Sequence, residues 1–307
     1  MKKVFFSLFL WWFCLVFLAV FDLFPQEKKL HLVMCDVGEG DAILISYGYQ
    51  QMLIDGGRDE AVLYCLNRHL PIGDRTIELV VATHPDADHI GGLTWVLESY
   101  RVLNLVTSQQ IKQTDDFKQF WRLVQAKKTK GMRLIFPTVN QVLWIDRHLL
   151  AKVVSTSSSG SFSSLDNVRS TENILSDEID KSIQKSNDYN NGSIVILFSF
   201  DRYVFLFTGD LEKEGELAII HSGLLSKANV LKVGHHGSKS SSSMQFLGII
   251  RPEISLIGVG KGNLYHHPSP QVVNRLLEVG SKVYRTDRDG EIEVVPEDDS
   301  LFVKLQK

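Results

Sequence analysis

The sequence predicts an α/β domain in which mixed β-sheets are covered by helices. From Leu30 onward, short apolar runs of strand character alternate with stretches of helical periodicity. Some of these runs follow one another closely, as in hairpins, and others are separated by a helical stretch, as in parallel units. The chain has 307 residues, of which 44% are hydrophobic, so it can bury one large core, and it shows no convincing boundary between two domains.

Each element is predicted from its own periodicity and from the residues that flank it. The predicted strands cover residues 30–34, 42–46, 51–55, 77–83, 102–107, 193–200, 203–209, 229–234, 253–259 and 282–286. The predicted helices cover residues 93–100, 114–127, 212–221 and 270–279. In the last of these helices, Ser269 is suited to the N-cap and Pro270 to the first turn.

Residues 155–190 interrupt this alternation. The segment is rich in Ser, Asn and Asp and holds few large apolar side chains. Such a composition cannot bury enough surface to offset the entropy lost on ordering. We therefore expect a disordered surface insertion within a domain that spans residues 29–307.

The N-terminal residues 1–25 predict a membrane-directed segment. Residues 4–21 carry no charge and follow Lys2 and Lys3, and their length matches a bilayer core if they are helical. A cleaved signal peptide and an uncleaved signal-anchor both fit, and the anchor is preferred because no small-x-small cleavage site follows. We expect one N-terminal hydrophobic helix, with the domain membrane-anchored outside the cytoplasm or, after cleavage, secreted.

Charge and cysteine content exclude several classes of protein. The formal net charge of −3 argues against a polybasic membrane binder or a nucleic-acid coat protein, although it leaves a local nucleic-acid groove open. The 3 cysteines form no CxxC pair, which excludes a thiolate zinc site. A single bridge between Cys35 and Cys65 is left open but is not expected.

The segment ATHPDADHIGG, residues 82–92, is the first candidate site. His84, Asp86, Asp88 and His89 follow directly after a predicted buried strand, so their side chains can converge at its carboxyl end. Imidazole and carboxylate groups are the ligands that divalent metals take in proteins. Gly91 and Gly92 permit a tight turn and a close backbone approach. A polar loop that merely caps the next helix is a weaker explanation for four such residues in this spacing.

The same residue types recur where other predicted strands end. Asp55 follows one strand, and Asp210 follows another, where a carboxylate can bridge two metal ions. The histidine pairs 235–236 and 266–267 follow two further strands. Histidines scattered at random through a core would not show this placement, so the pattern indicates a shared metal site.

These motifs resemble the metallo-β-lactamase-fold hydrolases, and most closely the hydrolase domain of ComEC-type competence DNA-uptake proteins. The resemblance covers roughly residues 30–295. It rests on CDVGEGDAILI (35–45), LIDGG (53–57), THPDADHIGG (83–92), NNGSIVI (190–196), FTGDLE (207–212), ANVLKVGHHGS (228–238), HPSP (267–270) and YRTDRDG (284–290). It implies a four-layer αββα sandwich with two mixed β-sheets.

The resemblance also implies roles for individual residues. The implied metal ligands are His84, Asp86, Asp88, His89, Asp210 and His235, around two divalent ions, zinc or manganese. His236 is the alternative to His235, because sequence does not separate two adjacent histidines. Asp55 is expected to accept a hydrogen bond from a ligand imidazole and so fix its tautomer. Asp88 is also assigned a catalytic role, and His267 is expected to contact the leaving group or a substrate phosphate.

Two departures from the superfamily pattern concern the ligands of the first of the two metal ions. Asp86 stands where the superfamily usually has a histidine. The superfamily's middle histidine has no clear match, and Asn190 or Asn191 occupies that region instead. A carboxylate-rich ligand set shifts the preference from zinc alone towards manganese or mixed occupancy. β-Lactam hydrolysis is disfavoured for the same two reasons.

The expected function is therefore that of a metal-dependent hydrolase that cleaves a phosphodiester, with DNA as the expected substrate. Cleavage of a cell-envelope phosphodiester, of the phosphocholine or teichoic acid type, is the alternative within the same fold. A non-catalytic, membrane-tethered component of a DNA-uptake machine is the alternative from a different class.

Overall fold

The computed structural model describes residues 11–12, 29–146, 149–156, 189–297 and 299–306. The predicted membrane-directed segment, apart from Trp11 and Trp12, lies outside the described residues. The same holds for residues 157–188 of the predicted insertion. Within the described ranges, no helix combines the length and the apolar character needed to cross a membrane.

Within the described residues, fifteen strands form two sheets. In chain order they are β1 (Leu30–Met34), β2 (Ile43–Tyr47), β3 (Gln50–Ile54), β4 (Thr76–Ala82), β5 (Arg101–Thr107), β6 (Arg133–Ile135), β7 (Val142–Asp146), β8 (Leu149–Ser155), β9 (Val195–Phe200), β10 (Tyr203–Phe207), β11 (Val230–Lys232), β12 (Ile254–Ile257), β13 (Lys282–Arg285), β14 (Glu291–Glu297) and β15 (Ser300–Gln306). The first sheet has the order β15-β14-β1-β2-β3-β4-β5-β6, and the second has the order β13-β12-β11-β10-β9-β8-β7.

Both sheets are mixed, as predicted. In the first sheet, β1, β2 and β3 pair antiparallel, and β3 to β6 run parallel. In the second sheet, β7 to β10 pair antiparallel, and β10 to β13 run parallel. The carboxyl ends of the parallel strands therefore collect at one edge of each sheet, where loops can carry functional side chains.

Helices cover the outer face of each sheet. They are α1 (Ala61–His69), α2 (Ala87–Ser99), α3 (Asp115–Lys128), α4 (Lys213–Ser222), α5 (Met244–Ile250), α6 (Pro270–Glu278) and the short α7 (Thr286–Asp289). Apolar side chains of α1, α2 and α3 pack on the first sheet, and those of α4, α5 and α6 pack on the second. The inner faces of the two sheets share a separate core that includes Met34, Phe198 and Leu256. The predicted four-layer αββα architecture is confirmed.

Strand β1 shows how the sequence creates this layering. Leu30, Leu32 and Met34 are buried against the second sheet, whereas Val33, and Cys35 directly after the strand, are buried against the helices. This alternation follows from the two-residue repeat of a strand. Because both faces are covered, the run is apolar at nearly every position.

Several elements differ from the sequence prediction. Helix α2 begins at Ala87 rather than at residue 93, so Asp88 and His89 lie in its first turn and not in a loop. Gly91 and Gly92 lie inside this helix, where an added Cβ would come within 2.1 Å of Arg58 O and 1.9 Å of Gly56 O respectively. These glycines therefore serve the close backbone approach and not a tight turn. The elements that the sequence did not predict are α1, α5, α7, β6, β7, β8, β14 and β15.

A disulfide joins Cys35 to Cys65, with 5.8 Å between their Cα atoms. The sequence left this bridge open without favouring it. The bond ties the end of β1, where the CDVGEGD loop begins, to α1 on the outer face of the sheet. It thus anchors one end of a loop that reaches the candidate site.

Candidate metal centre

The candidate site lies where the carboxyl-end loops of the two sheets meet. Four buried residues, Asp41, His89, Asp210 and His236, each offer one ligand atom within 4.8 Å of the others. Asp41 precedes β2, His89 lies in the first turn of α2, and the other two follow β10 and β11. The cluster therefore combines residues that are distant in sequence and that belong to both sheets.

The nitrogen and oxygen atoms of this cluster converge closely. His89 Nε2 lies 3.3 Å from Asp210 Oδ1. His236 Nε2 lies 3.4 Å from Asp210 Oδ2. The two Nε2 atoms are 3.3 Å apart. Two imidazole nitrogens facing each other beside a carboxylate favour a cation between them.

Hydrogen bonds on the far side of each ring fix which nitrogen faces the cluster. His89 Nδ1 donates to Asp55 Oδ2 at 2.8 Å. His236 Nδ1 donates to the carbonyl oxygen of Gly258 at 2.8 Å. With Nδ1 protonated and satisfied, each ring directs Nε2 into the cluster, where it offers a lone pair to a metal once its proton is displaced, as in a metal-binding histidine.

His84 is oriented by a relay through Thr83. The Thr83 hydroxyl donates to Asp55 Oδ2 at 2.7 Å, so it accepts from His84 Nδ1, which lies 3.0 Å away. His84 Nε2 is buried 3.8 Å from Asp210 Oδ2 and has no hydrogen-bond partner among the residues that the structure describes. Burial and the neighbouring His89 hold the pKa of His84 well below its usual value. The ring therefore stays neutral and offers a third lone pair.

Asp88 completes the rim of the cluster. Its Oδ2 lies 3.3 Å from His236 Nε2, and its side chain is partly exposed. The backbone carbonyl of Asp88 accepts a hydrogen bond from Asp41 N at 3.3 Å. This approach requires Gly40, because an added Cβ there would lie 1.9 Å from Asp88 O and the φ of Gly40 is +108°. The CDVGEGD loop and the first turn of α2 are thereby held against each other.

Lys232 places an ammonium group beside the carboxylates. Its side chain is 1% exposed and forms ion pairs with Asp41 and with Asp210, the latter at 3.4 Å between Nζ and Oδ1. The ammonium also donates to the carbonyl oxygen of Gly209 at 2.8 Å. Burial opposes the charge, but Asp41 and Asp210 outweigh it and raise the pKa of Lys232. Lys232 therefore stays protonated and fixes the two carboxylates.

The electrostatic balance of the cluster favours positive charge. Burial opposes protonation of His89 and His236, yet neighbouring carboxylates, above all Asp210, raise both pKa values well above the usual range. Burial also opposes ionisation of Asp210, but His236, His89 and Lys232 hold its pKa well below the usual range.

A divalent cation fits this demand. Three inward lone pairs from His84, His89 and His236, together with the carboxylates of Asp210, Asp88 and Asp41, form a nitrogen–oxygen donor set suited to zinc or manganese. The residues present therefore fit a divalent metal ion.

Two residues expected near the metals contact other groups. Asp86 Oδ1 accepts a hydrogen bond from Lys112 Nζ at 2.8 Å, on the partly exposed side of the site. Asn191 Oδ1 accepts from the backbone amides of Glu212 and Gly215, both at 3.0 Å. Asn191 therefore holds the first turn of α4, and the structure places neither side chain in the buried cluster.

The adjacent residues His235 and His236 point to different places. His236 joins the buried cluster. His235 lies at the rim, with Nε2 4.0 Å from Asp210 Oδ2 and with Nδ1 donating to Glu212 Oε1 at 2.6 Å. Both residues have left-handed backbones, with φ of 44° and 49°, which separate the two rings. The structure thus gives two roles to a pair that the sequence did not distinguish.

His267 lies at the mouth of a cleft that opens from the cluster. It lines this cleft together with His236, Asn263, Val259 and the 39–40 turn. Its ring centroid is 5.6 Å from that of His235. Burial and the neighbouring His235 lower the pKa of His267, so the ring is neutral near pH 7. His266, its neighbour in sequence, is exposed.

The sequence prediction did not assign roles to Asp41, Lys232 or Glu212. A signal for Lys232 was present, because a lysine in the middle of the apolar run NVLKVG cannot be buried without an acidic partner. Asp41 lay inside a motif quoted for the resemblance, immediately before an apolar strand. Glu212 gave no signal, since its contact with His235 depends on the fold of two loops.

Comparison with known proteins identifies the relatives of this chain. The model of the Metallo-beta-lactamase superfamily matches residues 35–261, which is well over half of the chain. The chain is 28% identical to "ComE operon protein 3" of Bacillus subtilis over 91% of this chain and 35% of that protein. It is 26% identical to "Recombination protein 2" of Haemophilus influenzae over 84% of this chain and 28% of that protein.

A third relative is more similar over a shorter region. "Competence protein ComA" of Neisseria gonorrhoeae is 38% identical over 112 residues, or 36% of this chain and 16% of that protein. The resemblance to ComEC-type competence proteins is confirmed by these matches. The chain spans at most 35% of the length of these three relatives.

Solved structures share the fold at low identity. A CmlA β-hydroxylase variant superposes with a TM-score of 0.51 at 9% identity, covering 85% of this chain and 53% of that one. Zinc-bound PqqB from Methylobacterium extorquens superposes with a TM-score of 0.50 at 11% identity, covering 83% and 97%. At such identities the likeness concerns the fold alone.

Proposed function

Because the chain belongs to the metallo-beta-lactamase superfamily, we propose that it is a metal-dependent hydrolase that cleaves a phosphodiester bond of DNA. The observation that carries this proposal is the convergence of three imidazole Nε2 atoms, from His84, His89 and His236, on the carboxylate of Asp210. The competence-protein names of two relatives support DNA as the substrate.

We propose that two divalent ions, zinc or manganese, are held around Asp210. His89, His236 and Asp88 would hold one ion, and His84 would hold the other, with Asp210 between them. Asp86 and His235 remain predicted ligands of these ions. Divalent ions in such a site supply Lewis acidity and a water-derived nucleophile near neutral pH.

Other side chains around the ions would fix the ligands and contact the substrate. Lys232 keeps Asp41 and Asp210 ionised and in place, so both carboxylates can act as metal ligands. His235 has its Nδ1 hydrogen-bonded to Glu212 Oε1, and its Nε2 lies 4.0 Å from Asp210 Oδ2, at the rim of the cluster. His267 lies beside it and would contact a substrate phosphate.

We propose that the domain acts outside the cytoplasm, held at the membrane by the segment within residues 1–25. The Cys35–Cys65 disulfide supports this location, because such bonds persist in oxidising compartments. The competence-protein relatives agree with a role in handling DNA at the cell surface.

The test is hydrolysis by the purified chain loaded with Mn²⁺ or Zn²⁺. We expect turnover of DNA and of bis(p-nitrophenyl) phosphate, loss of turnover with EDTA, and loss of both turnover and bound metal in His236→Ala. The control is His221→Ala, which removes an exposed histidine of α4.

Each alternative has a distinct outcome. Faster turnover of a phosphocholine diester than of DNA would assign the domain to the cell envelope instead. Metal-loaded protein that cleaves no phosphodiester would contradict the proposal and leave a non-catalytic role.

A further inference from the structure

The loop that follows β12 presents two apolar side chains to solvent. Leu264 is 88% exposed and Tyr265 is 71% exposed, side by side at the edge of the cleft. Single exposed apolar residues are common on protein surfaces. An adjacent pair that rims a candidate active site is more informative, because exposed apolar patches mark binding surfaces.

The Tyr265 ring extends the wall of the cleft. It lies nearly parallel to the His267 ring, with 5.8 Å between centroids and 19° between planes. His267 in turn lines the cleft with His236 and adjoins His235. A continuous series of rings therefore leads from the metal cluster to the surface and ends at Tyr265.

Asn263 holds this loop in one shape. Its side chain donates to the carbonyl oxygens of Gly260 at 3.2 Å and His267 at 2.8 Å, and it accepts from His267 N at 2.8 Å. These bonds close residues 260–267 on themselves and leave Leu264 and Tyr265 outside. A ring that is already positioned loses little entropy when a ligand stacks on it.

We propose that Tyr265, with Leu264 beside it, is a stacking platform for a nucleobase of single-stranded DNA whose phosphate enters the cleft. This inference rests on the proposed function and names the form of its substrate. Aromatic side chains bind single strands by stacking on base faces, which are covered by neighbouring bases in a duplex. The side of the Tyr265 ring facing away from His267 supplies such a surface.

The charge around the loop favours stacking over phosphate attraction. Lys261 is the one lysine or arginine within residues 260–267. Glu39 lines the same cleft and adds no positive charge to it. The contribution of Tyr265 to binding should therefore be insensitive to salt, unlike contacts with the DNA backbone.

The test is the affinity of the Mn²⁺-loaded chain for a fluorescent, hydrolysis-resistant phosphorothioate oligothymidylate. Stacking on one base is worth about 1–3 kcal/mol by alanine substitution, so Tyr265→Ala should weaken binding by about fivefold or more. Tyr265→Phe should bind as the wild type does. Tyr64→Ala, which removes an equally exposed tyrosine of α1, is the matched control and should change nothing.

An oligomer of the same length with abasic sugars isolates the base. Wild type and Tyr265→Ala should bind the abasic oligomer with equal affinity. For oligothymidylate, the ratio of the two dissociation constants should stay constant between about 50 and 200 mM salt. An oligomer that carries 5-iodouracil should photocrosslink to Tyr265.

Three other results would contradict the proposal that Tyr265 stacks on a base. They are equal binding of oligothymidylate by wild type and Tyr265→Ala, an equal loss for the abasic oligomer, or no binding by the wild type. Hydrolysis of bis(p-nitrophenyl) phosphate is measured on the same preparations. If that activity persists while the platform fails, the proposed function stands without it.

Discussion

Asp55 shows how one buried carboxylate organises the whole site. It accepts hydrogen bonds from the backbone and hydroxyl of Thr83 and from His89 Nδ1. Through Thr83 it also orients His84, so one side chain sets the direction of two predicted ligands. The sequence predicted the contact with an imidazole, but it did not predict the relay through a threonine.

Lys232 provides a residue-level test of the charge balance. Removing one partner of a buried ion pair leaves the other charge uncompensated, at a cost of about 3–5 kcal/mol. Lys232→Met should therefore lower the stability of the metal-free protein, because Asp41 and Asp210 lose their ammonium partner. Denaturant unfolding in EDTA measures this loss.

Adding metal to the same variant makes the test specific. Mn²⁺ should stabilise Lys232→Met at least as much as the wild type, because a cation can compensate the same carboxylates. Lys227→Met, which removes an exposed lysine, is the control and should change neither measurement by more than about 0.5 kcal/mol. Unchanged stability of Lys232→Met in EDTA would contradict the buried ion pair.

At the scale of elements, the start of α2 and the loop before β2 act as one unit. Asp88 O accepts from Asp41 N, and the Cys35–Cys65 bond fixes the beginning of that loop to α1. The sequence predicted α2 from the apolar run that follows Gly92, and so placed the start of the helix too late. Its polar first turn carries Asp88 and His89 and gives no amphipathic signal.

The disulfide gives a prediction about this unit. A bond between residues that are 30 apart restricts the unfolded chain by about 3–4 kcal/mol in the loop-entropy model. The double variant Cys35→Ser, Cys65→Ser should lose about that much unfolding free energy, as measured by denaturant unfolding. The wild type in reductant should fall to the level of the variant. Equal stability with and without reductant would show that the bond is not formed in solution.

At the scale of the molecule, the layers were predictable and the outer strands were not. Strands buried on both faces have long apolar runs, which the sequence shows directly. Strand β15 lies at the edge and alternates between exposed and half-buried residues, and its neighbour β14 contains Pro296 and three glutamates, so neither run was recognised. Pairing between β1 and β14 also joins residues far apart in sequence, which local patterns do not reveal.

Part of the candidate site was predictable because its residues directly follow apolar strands, which the sequence shows clearly. Polar residues directly after an apolar strand must lie at a sheet edge, which located Asp55, His84 and Asp210. Which of His235 and His236 enters the buried cluster depends on their left-handed backbone conformations. The Asp86 side chain is held outside the cluster by Lys112, which comes from a different loop. Such details follow from tertiary contacts and not from spacing.

The central claim is that His84, His89, His236 and Asp210 converge to hold divalent metal. Anomalous X-ray diffraction from crystals of the chain grown with Mn²⁺ tests it most directly. The account predicts an anomalous peak between His89 Nε2, His236 Nε2 and the Asp210 carboxylate, and a second peak beside His84 Nε2. Crystals in which Mn²⁺ is bound elsewhere, with no anomalous peak at these atoms, would contradict it.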